Sequence, residues 1–529
     1  MLPFLAVAFG GAAATLLARR WPVASAAVGS VALIAALVAA AAIVPGQELA
    51  VAGGAVVGSA YGRLFLLLGA GTGLILVVAA RIALGSDWPA NLPGALLASL
   101  GAAGLALSVR DATTAVAATI AGGLAGVIVT LAGPPSPRDV AVAARELRAI
   151  AVAGSLVILA TAWVARPLGI LAQEPAVFGF AYLAVAVGVA MRFGAIPFHL
   201  WAARVADAAP EIALPVLMAW GPAALAVVAI AWVDGAIVPV LPVAGTLPVE
   251  RAAVVVVGVA SLVLGAVAAW VQDDLEHVVG YAIVQDAGIV VLSLAALDPS
   301  VWAPSRAWLL NLLVARTAFA AWTMAVHARF GTRRVPELTG WARRSPVLAL
   351  ALLAIAVASV GWPGLAAFEA RASIIRLATD EPIRGLILAG VFLPLLYYGR
   401  LAAVGLGRQS AAIAGAASDR PRRPAEPARR RIPSRPLGSP WAWRTWRSWD
   451  AATESVRWLR PLRPVPRVVD TALDLNRGLV VGLLVLVLAG ASVGVAAGGF
   501  GGPAAAAEPA PQLPGGGESS ASPRGFAGP

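Results

Sequence analysis

Ala190-Met-Arg-Phe-Gly-Ala-Ile-Pro-Phe-His-Leu-Trp-Ala-Ala-Arg-Val-Ala-Asp-Ala-Ala-Pro-Glu211 puts charge and proline inside an otherwise apolar region. Arg192 closes a long uncharged run, Pro197 removes a backbone donor and interrupts the helix, and His199, Arg204, Asp207 and Glu211 follow closely. In lipid such a cluster is costly unless it faces a protein interior or a water-filled cavity. A counterpart lies at Ser359-Val-Gly-Trp-Pro-Gly-Leu-Ala-Ala-Phe-Glu-Ala-Arg371, where Pro363 breaks a second apolar segment that then carries Glu369 and Arg371. Paired interrupted segments of this kind mark the ion or substrate site of a transporter built from repeats.

Composition agrees with a membrane protein. Of 529 residues, 60% are hydrophobic and only 12% charged, with a mean hydropathy of +0.85, which excludes an ordinary soluble globule and implies an all-α polytopic protein. Fourteen apolar segments are expected, near 2–18, 22–44, 61–84, 90–109, 112–133, 146–165, 175–196, 208–233, 252–271, 278–297, 303–328, 346–377, 385–407 and 478–499. With the N-terminus outside, Arg19, Arg20, Arg138, Arg145, Arg148, Arg329, Arg333, Arg334, Arg343, Arg344 and the 408–470 linker share one side, which the positive-inside rule makes cytoplasmic. That linker is rich in Arg and Pro and carries Trp441, Trp443, Trp446 and Trp449, a pattern suited to tethering on anionic lipid or a neighbouring subunit. One more helix at 478–499 puts the Gly-, Pro- and Ala-rich 500–529 segment, expected to be disordered, on the opposite face.

The chain contains no cysteine, which rules out disulfides and thiolate metal sites, and its only histidines are His199, His277 and His327, which argues against zinc or haem. The net charge of +12 is spread over loops and the linker rather than a compact basic fold, so nucleic acid is not an expected partner. Gly69-Ala-Gly-Thr-Gly73 lies inside an apolar helix, where small residues serve helix packing rather than nucleotide binding. There is also no lysine: every basic side chain is a guanidinium, which remains charged in proteins.

Ile196-Pro-Phe-His-Leu-Trp201 resembles the signature of the antiporter-like membrane subunits of respiratory complex I, relatives of cation/proton antiporter and membrane-hydrogenase subunits. Three further blocks agree in order: Val271-Gln-Asp-Asp-Leu-Glu-His-Val-Val-Gly-Tyr-Ala-Ile-Val-Gln-Asp-Ala-Gly288, Glu337-Leu-Thr-Gly-Trp-Ala-Arg-Arg-Ser-Pro346 and Gly361-Trp-Pro-Gly-Leu-Ala-Ala-Phe368. The run Leu312–Trp322 and the late last helix look most like the subunit N type. The resemblance implies helices 1–3 over 1–89, two inverted five-helix repeats over 90–233 and 252–407, each with a broken helix, and buried charges at mid-membrane that carry protons. It also implies NAD and quinone bound by partner subunits rather than by this chain, other membrane subunits as partners, and an inner-membrane location.

By position, Arg192 and Arg371 occupy the places of family lysines. The family glutamate of the fifth helix falls near Ile120, its eighth-helix lysine at Pro222, and a tenth-helix histidine at Asp286. Since arginine does not release its proton, the proton-path candidates are Arg192 and Arg371 as fixed charges with His199, Asp286 and Glu369 as exchanging groups. Asp286, mid-helix and without an evident partner, is the principal expectation; Asp207 and Glu211 are read as ion-pair partners of Arg204. Two alternatives stay open: a structural subunit that has lost conduction, and a component of a multisubunit cation/proton antiporter that moves sodium.

Overall fold

The computed structural model describes residues 1–51, 54–85, 88–130, 137–164, 175–244, 247–381, 383–407 and 467–509. The chain divides into a helical body, Met1–Gly407 with Arg477–Pro529, and a second unit, Arg408–Asn476. The expected linker lies almost entirely outside the described residues.

The helices are α1 Leu2–Leu17, α2 Pro22–Ala41, α3 Ala60–Leu84, α4 Leu92–Ala106, α5 Ala112–Thr130, α6 Pro137–Val164, α7 Pro175–Phe193, α8 Leu200–Ala208, α9 Gly221–Trp232, α10 Leu241–Ala244, α11 Pro248–Val271, α12 Leu275–Ala295 and α13 Trp302–Phe330. They continue with α14 Trp341–Arg344, α15 Pro346–Val360, α16 Ala366–Ala378, α17 Ile383–Ala389, α18 Pro394–Leu406, α19 Arg467–Ala496 and α20 Gly502–Ala506. Among the described residues, eleven helices are long and apolar enough to cross a membrane, and three shorter apolar ones, Leu92–Ala106, Ala112–Ile128 and Pro346–Val360, accompany them. Each falls on one of the apolar segments read from the sequence. Proline opens α2, α6, α7, α11, α15 and α18, where its missing N–H costs nothing because the first helical amides have no partner in any case.

Two features depart from the expected pattern. Two strands, β1 Glu48–Val51 and β2 Gly54–Val57, pair antiparallel, too short a stretch to register against the helical background. The tail is ordered further than its composition suggests: α20 follows α19, and Glu508 is held firmly. Its carboxylate accepts from the amides of Ala60 and Tyr61, at 3.1 and 3.0 Å, which are free donors at the start of α3. Its carbonyl accepts from Trp302 Nε1 at 2.8 Å and Arg306 Nη1 at 2.6 Å. Arg306 is buried there against the rings of Tyr61 and Trp302.

Both broken helices have a local cause. Gly194 and Gly361 take positive φ, +67° and +58°, directly after α7 and α15, the left-handed conformation that ends a helix and that glycine adopts without a Cβ penalty. The chain then restarts as α8 and α16. Between α8 and α9, Val216–Trp220 run as a π-helical turn into Pro222.

The tightest helix pair is α11 with α12. A Cβ on Gly288 would lie 2.5 Å from the Gly258 carbonyl oxygen and 2.6 Å from the Leu262 amide, and one on Gly265 would lie 2.7 Å from the Gln285 amide. These are backbone atoms, which cannot step aside as a side chain can. Gly288→Ala is therefore expected to cost about 1–3 kcal/mol by overpacking, read as a lowered unfolding midpoint in detergent; an unchanged midpoint would mean the two helices separate freely.

Candidate functional site

Five of the buried charged side chains, Arg192, Glu146, Asp286, Arg316 and Arg371, form two centres, one in each half of the chain. In the first, Arg192 on the last turn of α7 is buried and donates from Nη1 to the Leu217 carbonyl at 3.0 Å. That carbonyl is available for a clear reason. In π register it would pair with the amide of residue 222, which is proline and has no hydrogen. The acid whose charge acts on Arg192 is Glu146 of α6, which is 1% exposed. The fifth helix supplies space instead: a Cβ on Gly123 would lie 2.9 Å from Arg192 Nη2. A buried acid thus acts on Arg192 from α6, one helix beyond the position near Ile120.

In the second centre, Asp286 of α12 is not isolated, contrary to expectation. Arg316 of α13 donates from Nε to Asp286 Oδ2 at 2.5 Å, and the two side chains are 0% and 2% exposed. The same guanidinium donates from Nη1 to the Tyr398 hydroxyl at 3.1 Å and from Nη2 to that of Tyr397 at 3.3 Å, both on α18. Tyr398 in turn shares a 2.9 Å hydrogen bond with the Ser359 hydroxyl at the end of α15. Arg316 was missed in sequence because it sits in the apolar run Leu312–Trp322. An arginine in the middle of an apolar helix is itself a signal of a buried partner.

Arg371 joins this centre from α16. Its Nη1 donates to the carbonyls of Ser359 and Val360 at 2.9 and 2.8 Å, its Nη2 to that of Val391 at 3.1 Å, and its guanidinium lies 4.7 Å from the centre of the Trp308 ring. The first two acceptors are the open carbonyls at the C-terminus of α15, where the helix dipole also favours a cation. A hydrogen-bonded contact links the two halves: Trp220, on the π-turn that carries Leu217, donates from Nε1 to the Thr317 hydroxyl at 3.1 Å, one residue from Arg316.

Glu369 stands apart from both centres. Two residues from Arg371, it lies about 200° round the helix, so burying Arg371 turns it outward. Its side chain is 62% exposed and 3.7 Å from Arg376. His199 opens α8, half-buried, with its ring 6.3 Å from that of Tyr281. Asp207 does meet Arg204, at 3.4 Å, and also His277 Nε2 at 3.1 Å. Glu211 pairs elsewhere, with His327 and Arg333 at 3.2 and 2.9 Å.

This bundle, with two broken helices and buried charges beside each, is similar to antiporter-like membrane subunits in the comparisons with known proteins. Residues 155–396 match the family described as NADH:quinone oxidoreductase/Mrp antiporter, transmembrane. The chain is similar to NADH-quinone oxidoreductase subunit N of Hydrogenovibrio crunogenus, 28% identical over 234 residues, covering 43% of this chain and 47% of that one. It is also similar to subunit N 2 of Syntrophobacter fumaroxidans, 31% identical over 238 residues, covering 44% and 48%. The chain thus spans about half the length of these curated relatives. Its fold is shared with a chain of respiratory complex I from Thermus thermophilus, at a TM-score of 0.60 and 19% identity over 94% of this chain and 100% of that one. A chain of the Mrp complex from Dietzia gives 0.60 at 19% identity over 76% and 46%, and one of an archaeal membrane-bound sulfane sulfur reductase gives 0.62 at 14% over 93% and 99%.

Proposed function

We propose that the chain is a proton-translocating membrane subunit of a complex I-like NADH:quinone oxidoreductase or a related assembly in the inner membrane, with redox cofactors on partner subunits. In this reading 90–233 and 252–407 are the two inverted repeats, and the neighbours are other membrane subunits. The observation that carries it is the Asp286–Arg316 pair with its two tyrosine hydroxyls, deep in an apolar bundle. Ionised groups are costly there and are kept where ions move. Because guanidinium holds its proton, Arg192, Arg316 and Arg371 act as fixed charges, and the exchanging groups are the acids they face. Asp286 takes a proton when its pair with Arg316 loosens, while Tyr397 and Tyr398 keep Arg316 hydrogen-bonded.

Asp286→Asn keeps an oxygen for Arg316 but cannot ionise. Proton flux in vesicles holding the assembled complex is expected to fall by at least about tenfold, with assembly intact. Unchanged flux would make the pair structural and return the chain to the role of a docking platform; flux that requires sodium would make it an antiporter component.

A further inference from the structure

Where α8, α12 and α13 end together, a second group of titratable residues stands apart from both centres. Glu211 Oε1 lies 3.2 Å from His327 Nδ1, Glu211 Oε2 lies 2.9 Å from Arg333 Nη2, and Arg333 Nη1 is paired with Glu276 Oε1. Arg333 Nε is also 3.1 Å from His327 Nδ1. Glu211 is 3% and Glu276 12% exposed at the side chain, whereas His327 and Arg333 are 29% and 38% exposed, so the group runs from water into the protein.

We propose that this cluster is the site where protons are taken up by the chain, feeding the Asp286–Arg316 centre along one face of α13. The inference rests on the reading of the chain as a proton translocator and goes further by naming the residues that admit the proton. Two features carry it. First, His327 Nδ1 faces an acceptor, the Glu211 carboxylate, and a donor, the Arg333 Nε–H, at nearly equal distances. Without a proton the nitrogen satisfies Arg333 and opposes Glu211; with one it satisfies Glu211 and opposes Arg333. Neither a bare Nδ1, as in the Nε2–H tautomer, nor an Nδ1–H, as in the other tautomer or the imidazolium, satisfies both neighbours, so a proton bound there is held against a competing contact. Second, two carboxylates share one guanidinium, so the cluster is one positive charge short of balance until one of its groups binds a proton.

Several of the charges around it have partners of their own. On α8, Asp207 is held by Arg204 and His277; before α12, Asp273 is held by Arg400; beyond α13, Arg334 pairs with Glu337. Asp274 precedes α12, and Arg329 closes α13. From His327 the path inward is set by helix periodicity. Thr323, Ala320 and Arg316 precede it by four, seven and eleven residues and therefore share its face of α13, the last of them about 16 Å along the axis. A proton from water bonds to the His327 imidazole and leaves it by way of the Thr323 hydroxyl and intervening water for the Asp286 carboxylate, which returns the imidazole to its neutral form for the next.

The test uses sealed native-membrane vesicles holding the assembled complex and an internal pH indicator, with His327→Ala and His327→Gln compared with Asp286→Asn. Both histidine variants are expected to slow proton flux at least about tenfold. Imidazole added on the His327 side should restore most of the flux of His327→Ala, and imidazole on the other side should not. A misfolded protein cannot be rescued in this way, so side-specific rescue separates proton uptake from a structural role. Flux at the wild-type rate in His327→Ala, or a loss that imidazole does not relieve, overturns the proposal. If Asp286→Asn abolishes flux while both histidine variants retain it, uptake alone is misassigned; if the wild type conducts no protons, the functional reading fails and the uptake site with it.

Discussion

Arg316→Met is expected to destabilise the protein by about 3–5 kcal/mol, because it strands the Asp286 carboxylate in a site where it is 2% exposed. The penalty is mostly desolvation: the attraction between the paired ions only offsets the cost of taking both out of water, so removing one leaves the other uncompensated. Tyr397 and Tyr398 lose their charged donor in the same step. The double variant Asp286→Leu/Arg316→Met removes both charges and should regain most of the loss. A double-mutant cycle on unfolding in mixed micelles measures the coupling directly. Single and double variants within about 0.5 kcal/mol of the wild type would show that the pair is not desolvated, and the argument for a costly, functionally retained charge would go with it.

Arg371→Ala should cost a similar amount, about 3–5 kcal/mol, since charge-assisted hydrogen bonds contribute roughly 1.5–3 kcal/mol each and three carbonyls lose their donor. If positive charge alone mattered, lysine would replace arginine fully, as the family pattern at this position suggests. The geometry argues otherwise: one planar fork spans the Ser359 and Val360 carbonyls on one helix end and Val391 on another segment, which an ammonium at a single point cannot do. Arg371→Lys is therefore expected to fall between wild type and alanine. Thermal unfolding of the three proteins decides it, and a lysine variant as stable as the wild type would reduce Arg371 to a point charge.

Much of this was legible in the sequence. Hydropathy located the apolar helices, and Pro197 with Pro363 located the two breaks. The outward turn of Glu369 was also implicit, because residues two apart on a helix do not share a face. The order and spacing of four motif blocks pointed to the antiporter-like class that the matched span of residues 155–396 supports.

What the sequence determined by itself was what each segment is: hydropathy, helix breakers and the total absence of lysine are local properties, readable one window at a time. Which acid meets which base was decided only in three dimensions. Asp286 and Arg316 are thirty residues apart on different helices, and neither window contains the other. Glu146 acts on Arg192 from α6, which packs against α7, whereas α5 meets Arg192 at Gly123. Leu217 accepts from Arg192 because a proline leaves its carbonyl without an amide. A buried charge must find its counter-charge within a few ångströms, and helix packing, not chain order, sets which groups come that close.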